Sequence, residues 1–295
     1  MRGDGGSADG SVGDRRARRR QPRHPSARQL GIEYARGIGG GLFLGLPLLM
    51  TMEMWRTALI MPPWKLLLFL VVDFGALLIL EYYSGFREEE TFAEVAEDAL
   101  VAFGIGVALS AVLLFVLGLV TPEMSAREAL GKIGLQAIPA SIGASVAMSQ
   151  LGQRSAASQG KTREAGFWGS QAVALAGALV FGFNIAPTEE PMLLGLWMRW
   201  WHALILALLS LLQVHVLVYA VDFRGAHAIP RGRTWWEVFV QESVTSYAVA
   251  VLLAAYLLWT FGRIGAHTGA AETVHMVVAL SFATSLGAAA GKLIL

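Results

Sequence analysis

Two short motifs, Thr51-Met52-Glu53 and Thr188-Glu189-Glu190, carry the residues best suited to chemistry. Each follows an apolar stretch broken by proline: Pro47 before the first, Pro187 and Pro191 around the second. Proline frees backbone carbonyls that can join carboxylates around a cation. Two carboxylates at close range cannot both ionise freely, so one takes up a proton or shares a cation. The pattern predicts that Glu53 and Glu190 form a cation site or proton gate, oriented by Thr51 and Thr188, with Glu189 beside them and Asn184 as a secondary candidate. The plainer reading is two acids at the headgroup boundary, contacting water. Asp73 sits in mid-stretch, between Leu66 and Leu80. A central Asp costs about 2.5–3.5 kcal/mol on insertion scales, so it must face the bundle interior with a partner. It is read as a proton or ion acceptor. The plainer reading is a neutral Asp bonded to a Ser or a carbonyl. His215 and Glu242 are secondary candidates, His215 as a relay or a cross-helix hydrogen bond.

Other polar groups have structural explanations. Thr91-Phe-Ala-Glu94 and Thr234-Trp-Trp-Glu237 both spell a capping box, and Ser125-Ala-Arg-Glu128 does the same. Gly37, Gly41 and Gly45 recur every fourth residue, as do Gly287 and Gly291, which marks close helix packing. The chain has no H-E-x-x-H and no G-x-S-x-G, and the run around Ser145 has Ala289 at its matching place, so no enzyme activity or cofactor is expected.

The motifs are positioned by a sequence written twice. Displaced by 137 residues (188 − 51 = 137), Gly40, Leu42, Gly45, Thr51, Glu53, Met61, Trp64, Leu67, Leu80, Tyr82, Phe86 and Arg87 all meet identical residues. The match continues at 143 from Thr91 to Thr234, and at 144 from Glu128 to Glu272 and Ser141 to Ser285. Self-similarity at this scale points to a site where the repeats meet. Asp73 has Ser210 at its matching place, so that feature is asymmetric.

The 295 residues have a mean hydropathy of +0.54, 15% charged residues and no cysteine. Disulfide, thiol and Cys-based metal chemistry are thereby excluded. A helix crossing about 30 Å of hydrocarbon needs about 20 mostly apolar residues. Eight stretches approach this: 36–56, 63–83, 98–120, 128–149, 166–187, 199–221, 239–261 and 272–293. The fourth and eighth are rich in Gly, Ala and Ser, which suits helices buried against others. The expected fold is all-α: eight transmembrane helices as two parallel four-helix repeats, 36–150 and 151–295, related by a pseudo-twofold axis. Residues 1–35, with Arg2, Arg15, Arg16, Arg18, Arg19, Arg20, Arg23 and Arg28, read as a disordered arm touching anionic lipid, with no nucleic acid expected. Basic loops on the same side place both termini in the cytoplasm.

The P-x-x-x-T-x-E pattern and the run Ala186-Pro187-Thr188-Glu189-Glu190-Pro191 resemble a bacterial family of integral membrane proteins of unassigned function. The likeness covers roughly residues 30–295 and implies a multi-pass protein of the inner membrane. From the residues themselves, the expectation is transport of a small cation or proton, with a homodimer left open. The rival is a non-transporting sensor or assembly module whose acids are structural.

Overall fold

A computed structural model describes residues 27–84, 91–150, 166–223 and 235–294. Among the described residues all regular structure is helical. The N-terminal group comprises α1 (Ala27–Leu49), α2 (Met52–Ile60), α3 (Pro63–Ser84), α4 (Phe92–Val116) and α5 (Ala126–Gln150). The C-terminal group comprises α6 (Gly166–Ile185), α7 (Glu190–Trp197), α8 (Trp200–Phe223), α9 (Trp235–Val238), a π-helical turn (Phe239–Val244), α10 (Thr245–Thr260) and α11 (Ala270–Ile294).

Helix α1 starts at Ala27, inside the segment expected to lack structure. Ala27, Arg28 and Glu33 favour a helix, and Leu30, Ile32 and Tyr34 extend its apolar surface. The expected stretch 36–56 is likewise not one straight helix. After Pro47 the chain closes α1 at Leu49 and turns by 81° into α2. Among the described residues, six helices are long and apolar enough to cross a membrane, or up to seven if the bent pair α1–α2 counts as one. The fourth expected stretch does form a helix, α5, but Arg127, Glu128 and Lys132 crowd its first turns.

Helix α5 is nonetheless the axis of its group. It packs on α1, α2, α3 and α4, and residues 135–145 are buried without interruption. Helix α11 has the same place in the other group, against α6, α7, α8 and α10. Small residues permit both crossings. A Cβ on Gly40 would lie 2.2 Å from the Gly143 carbonyl oxygen, and one on Gly177 2.0 Å from that of Gly287. The glycine faces are packing faces.

The groups also share their turns. After α4 and after α10, Gly118 (φ 70°) and Gly262 (φ 71°) reverse the chain. The amides of Leu119 and Arg263 then reach back to Leu114 O and Leu258 O, both at 2.8 Å, as in a Schellman close. The two glycines are 144 apart (262 − 118), although the helices begin 143 apart (235 − 92). The π turn at Phe239–Val244 lies between these points, and its wider i→i+5 bonding absorbs one residue.

The packing between groups departs from expectation. Helix α3 packs on α6, but α8, which follows the same order in its own group, makes no comparable packing on α1. Helix α5 meets α6, while α11 does not correspondingly meet α1. A twofold axis demands reciprocal contacts, and among the described residues these helix pairs do not show them.

Candidate functional site

Both T-x-E motifs sit at helix ends. The Thr51 hydroxyl donates to Leu48 O at 2.7 Å and its amide to the same oxygen at 3.0 Å. Thr188 treats Ile185 O identically, at 2.6 and 3.0 Å. Each threonine therefore satisfies one of the last carbonyls of an apolar helix twice over. The acids that follow open the next short helices, where the N-terminal dipole favours negative charge. Glu189 and Glu190 are exposed and Glu53 is half-buried. The Glu190 carboxyl is held below the usual carboxylate range, first by the Thr188 hydroxyl and its own backbone N–H, with a smaller contribution from Arg263. The hydroxyl has one proton, which serves Ile185 O or Glu190 at any instant.

Arg263, which the motif reading does not include, lies against the second motif and within the field of the first. Its guanidinium donates to Pro187 O and lies 3.8 Å from Met192 Sδ. Burial depresses its pKa, while the charges of Glu189, Glu53 and Glu190 oppose that shift. The acids of both motifs thus act on one guanidinium. Asn184 is one turn away and donates to Val180 O at 2.6 Å, within its own helix. It lines a shallow cleft with Leu44, Pro139 and Phe183 where α1, α5 and α6 meet. Among the described residues no group of three or more His, Asp or Glu side chains is arranged to hold a metal ion.

Asp73 lies deep in α3, 3% exposed. One oxygen accepts the Ser141 hydroxyl of α5 at 3.0 Å, and the other, Oδ1, is buried without a hydrogen-bond partner. Two turns further on, Glu81 is 8% exposed and accepts the Ser145 hydroxyl at 2.6 Å. The spacings 73/81 and 141/145 put both acids on one face of α3 and both serines on one face of α5. Glu81 is absent from the motif reading, and its i, i+8 spacing from Asp73 is the signal in the sequence that marks it.

Other buried polar atoms continue this line toward the motifs. Tyr256 Oη, Thr260 Oγ1 and Arg263 Nε are all buried without a hydrogen-bond partner. Tyr256 and Thr260 share one face of α10 by i, i+4 spacing, and Arg263 follows in the turn after Gly262. Asp73 is within electrostatic reach of the Tyr256 hydroxyl. Thr260 is close to that hydroxyl as well, but outside hydrogen-bonding geometry.

The secondary candidates lie elsewhere. His215 Nδ1 is 2.9 Å from the Ser243 hydroxyl of the π turn. Glu242, in the same turn, accepts Lys292 Nζ and the Ser170 hydroxyl, each at 2.8 Å. Lys292 was missed because a lysine in the last turn of a helix reads as a solvated end. Glu94 behaves as the capping box requires, accepting the Thr91 amide at 3.0 Å. Thr234 lies outside the described residues.

A family model described as "Putative integral membrane protein (DUF2391)" matches residues 33–295. No curated protein and no solved structure matches the chain.

Proposed function

We propose a function from one premise: the chain belongs to this family of integral membrane proteins. The reading is that it moves protons through the bundle. Asp73 is the intramembrane acceptor. Ser141, Ser145 and Glu81 form one arm of the path, and Tyr256 and Thr260 the other, which ends beside Arg263 at Glu53, Glu189 and Glu190. The observation that carries it is the unpartnered Oδ1 of Asp73, buried in a helix long enough to span a membrane. An unmet buried polar atom costs about 1–3 kcal/mol. Three such atoms lie in this series, on Asp73, Tyr256 and Thr260, and a shifting file of protons and hydrogen bonds explains them better than three separate faults. Hydroxyl groups both donate and accept, so they can relay a proton without a wide pore. Arg263 at the motif end places fixed positive charge where a metal cation would otherwise bind, which favours proton over cation movement.

The same reading takes all eight long helices as crossings. In it, the two groups descend from one duplicated unit, α5 is a shielded inner span, and both termini are cytoplasmic in a bacterial inner membrane. The Arg-rich arm, residues 1–26 of which lie outside the described residues, rests on anionic lipid.

The test is proton flux in liposomes under a potassium-driven potential, read with an internal pH dye. Wild-type protein is expected to acidify the lumen, and Asp73→Asn to reduce the rate by about tenfold or more. Equal rates, or no flux from well-folded wild-type protein, would favour the rival reading of a membrane module with structural acids.

A further inference from the structure

The contact between the two groups runs one way. Phe69 of α3, 1% exposed, inserts among Phe183, Phe261 and Tyr256, with ring centroids at 5.4, 5.7 and 6.1 Å. Trp64 meets Trp259 at 6.0 Å, and Lys65 lies 4.4 Å over the Trp259 ring while donating to its carbonyl. The C-terminal group thus offers an acceptor face on α10, and the N-terminal group an inserting face on α3.

Each group also has the face that the other used. At the 137-residue displacement, Trp64 and Phe69 correspond to Trp201 and Leu206 of α8 (64 + 137, 69 + 137). At 144, Tyr256, Trp259 and Phe261 correspond to Val112, Phe115 and Leu117 on and just past α4 (256 − 144, 259 − 144, 261 − 144). These second faces are largely uncovered: Trp201 is 55% exposed, Phe115 61%, Val112 and Leu117 are exposed as well, and Leu206 is half-buried. A heterologous contact inside one chain leaves one inserting and one accepting face free, and such contacts close into a ring where the rotation permits and run on as a filament where it does not.

We propose that a second copy of this chain covers both: α8 of each copy seats on α4 of the other, repeating the α3–α10 contact and closing four helix groups into a two-copy ring. The chain directions agree, since α8 begins and α4 ends at the motif end, as α3 begins and α10 ends there. The interface is built from aromatic and aliphatic side chains whose counterparts already pack within the chain. It does not depend on proton conduction, and its failure would leave that reading untouched.

The cysteine-free sequence makes the test direct. Phe115→Cys with Trp201→Cys, treated in membranes with a short bis-maleimide, is expected to give a covalent dimer. Leu117→Cys with Leu206→Cys is a second pair from the same interface and is expected to do the same. Leu252→Cys with Trp201→Cys, using an exposed position on another helix, is expected to stay monomeric. Monomer in both interface pairs, equal dimer in the control pair, or a ladder above dimer would overturn the two-copy ring.

Discussion

The N-terminal and C-terminal groups have the same frame and different interiors. Both close a long helix on a threonine, both cross two glycines at carbonyl contact, and both end their penultimate helix on a left-handed glycine. Inside, the N-terminal group carries Asp73 and Glu81 where the C-terminal group has Ser210 and Val218 (73 + 137, 81 + 137). It holds a cationic side chain, Lys132, which donates to Leu119 O and to Glu128 at 3.0 and 2.8 Å. The C-terminal group has Met276 at the matching place and puts its cation on the turn, at Arg263 (132 + 144, 119 + 144). The frame therefore forms without the buried acids. Their burial is a cost that folding does not require, which is why Asp73 and Glu81 are read as functional.

The most damaging way to probe the shared frame is at the glycine crossings. Gly143→Val and Gly287→Val should each destabilise by about 3 kcal/mol or more, because a side chain there meets backbone that cannot move aside. Thermal unfolding in detergent reads this, and tolerance at only one site would show that the crossings are not equivalent.

The interiors should separate under Asp73→Ser, which gives the N-terminal group the residue of the other. Folded protein should be retained with little change in Tm, while proton flux falls by about tenfold or more. A large loss of stability would instead make Asp73 part of the frame.

Lys292 has Met148 as its counterpart (292 − 144). Lys292→Met should cost about 1–3 kcal/mol by stranding Glu242, and Glu242→Gln in the same chain should recover part of it. Additive losses in the double-mutant cycle would mean that the pair is not coupled.

The smallest effect is expected at Glu190. Its folded-state pKa is depressed, so its contribution is present above the unfolded value of about 4.3 and is lost as pH falls through the lower folded value. Wild-type protein should therefore exceed Glu190→Gln in Tm at neutral pH, with the gap closing in acid. Exposure keeps the gap small, and a gap that widened in acid would reverse the assignment.

The sequence made much of this frame legible because backbone contacts restrict residue types. Small residues in α5 and α11 announced burial, and the step from a 143- to a 144-residue displacement announced the inserted residue that the π turn absorbs. Asp73 was legible because an acid in mid-membrane demands a partner. Glu81 escaped because it stands near a helix end, where acids are ordinary. Arg263 escaped because its role comes from a turn that brings it beside a motif 75 residues away (263 − 188). The bend after Pro47 and the one-way contact between groups also depend on tertiary packing, which periodicity does not encode.

Asp73 is the point on which the account turns, and its infrared carboxyl band in oriented, reconstituted membranes tests it most directly. With Asp73→Asn subtracted to identify the band, the account predicts that stepping the pH on either face of the membrane changes its intensity, because one arm of the path leads to each face. A band indifferent to pH on both faces would show a sealed structural acid and contradict it.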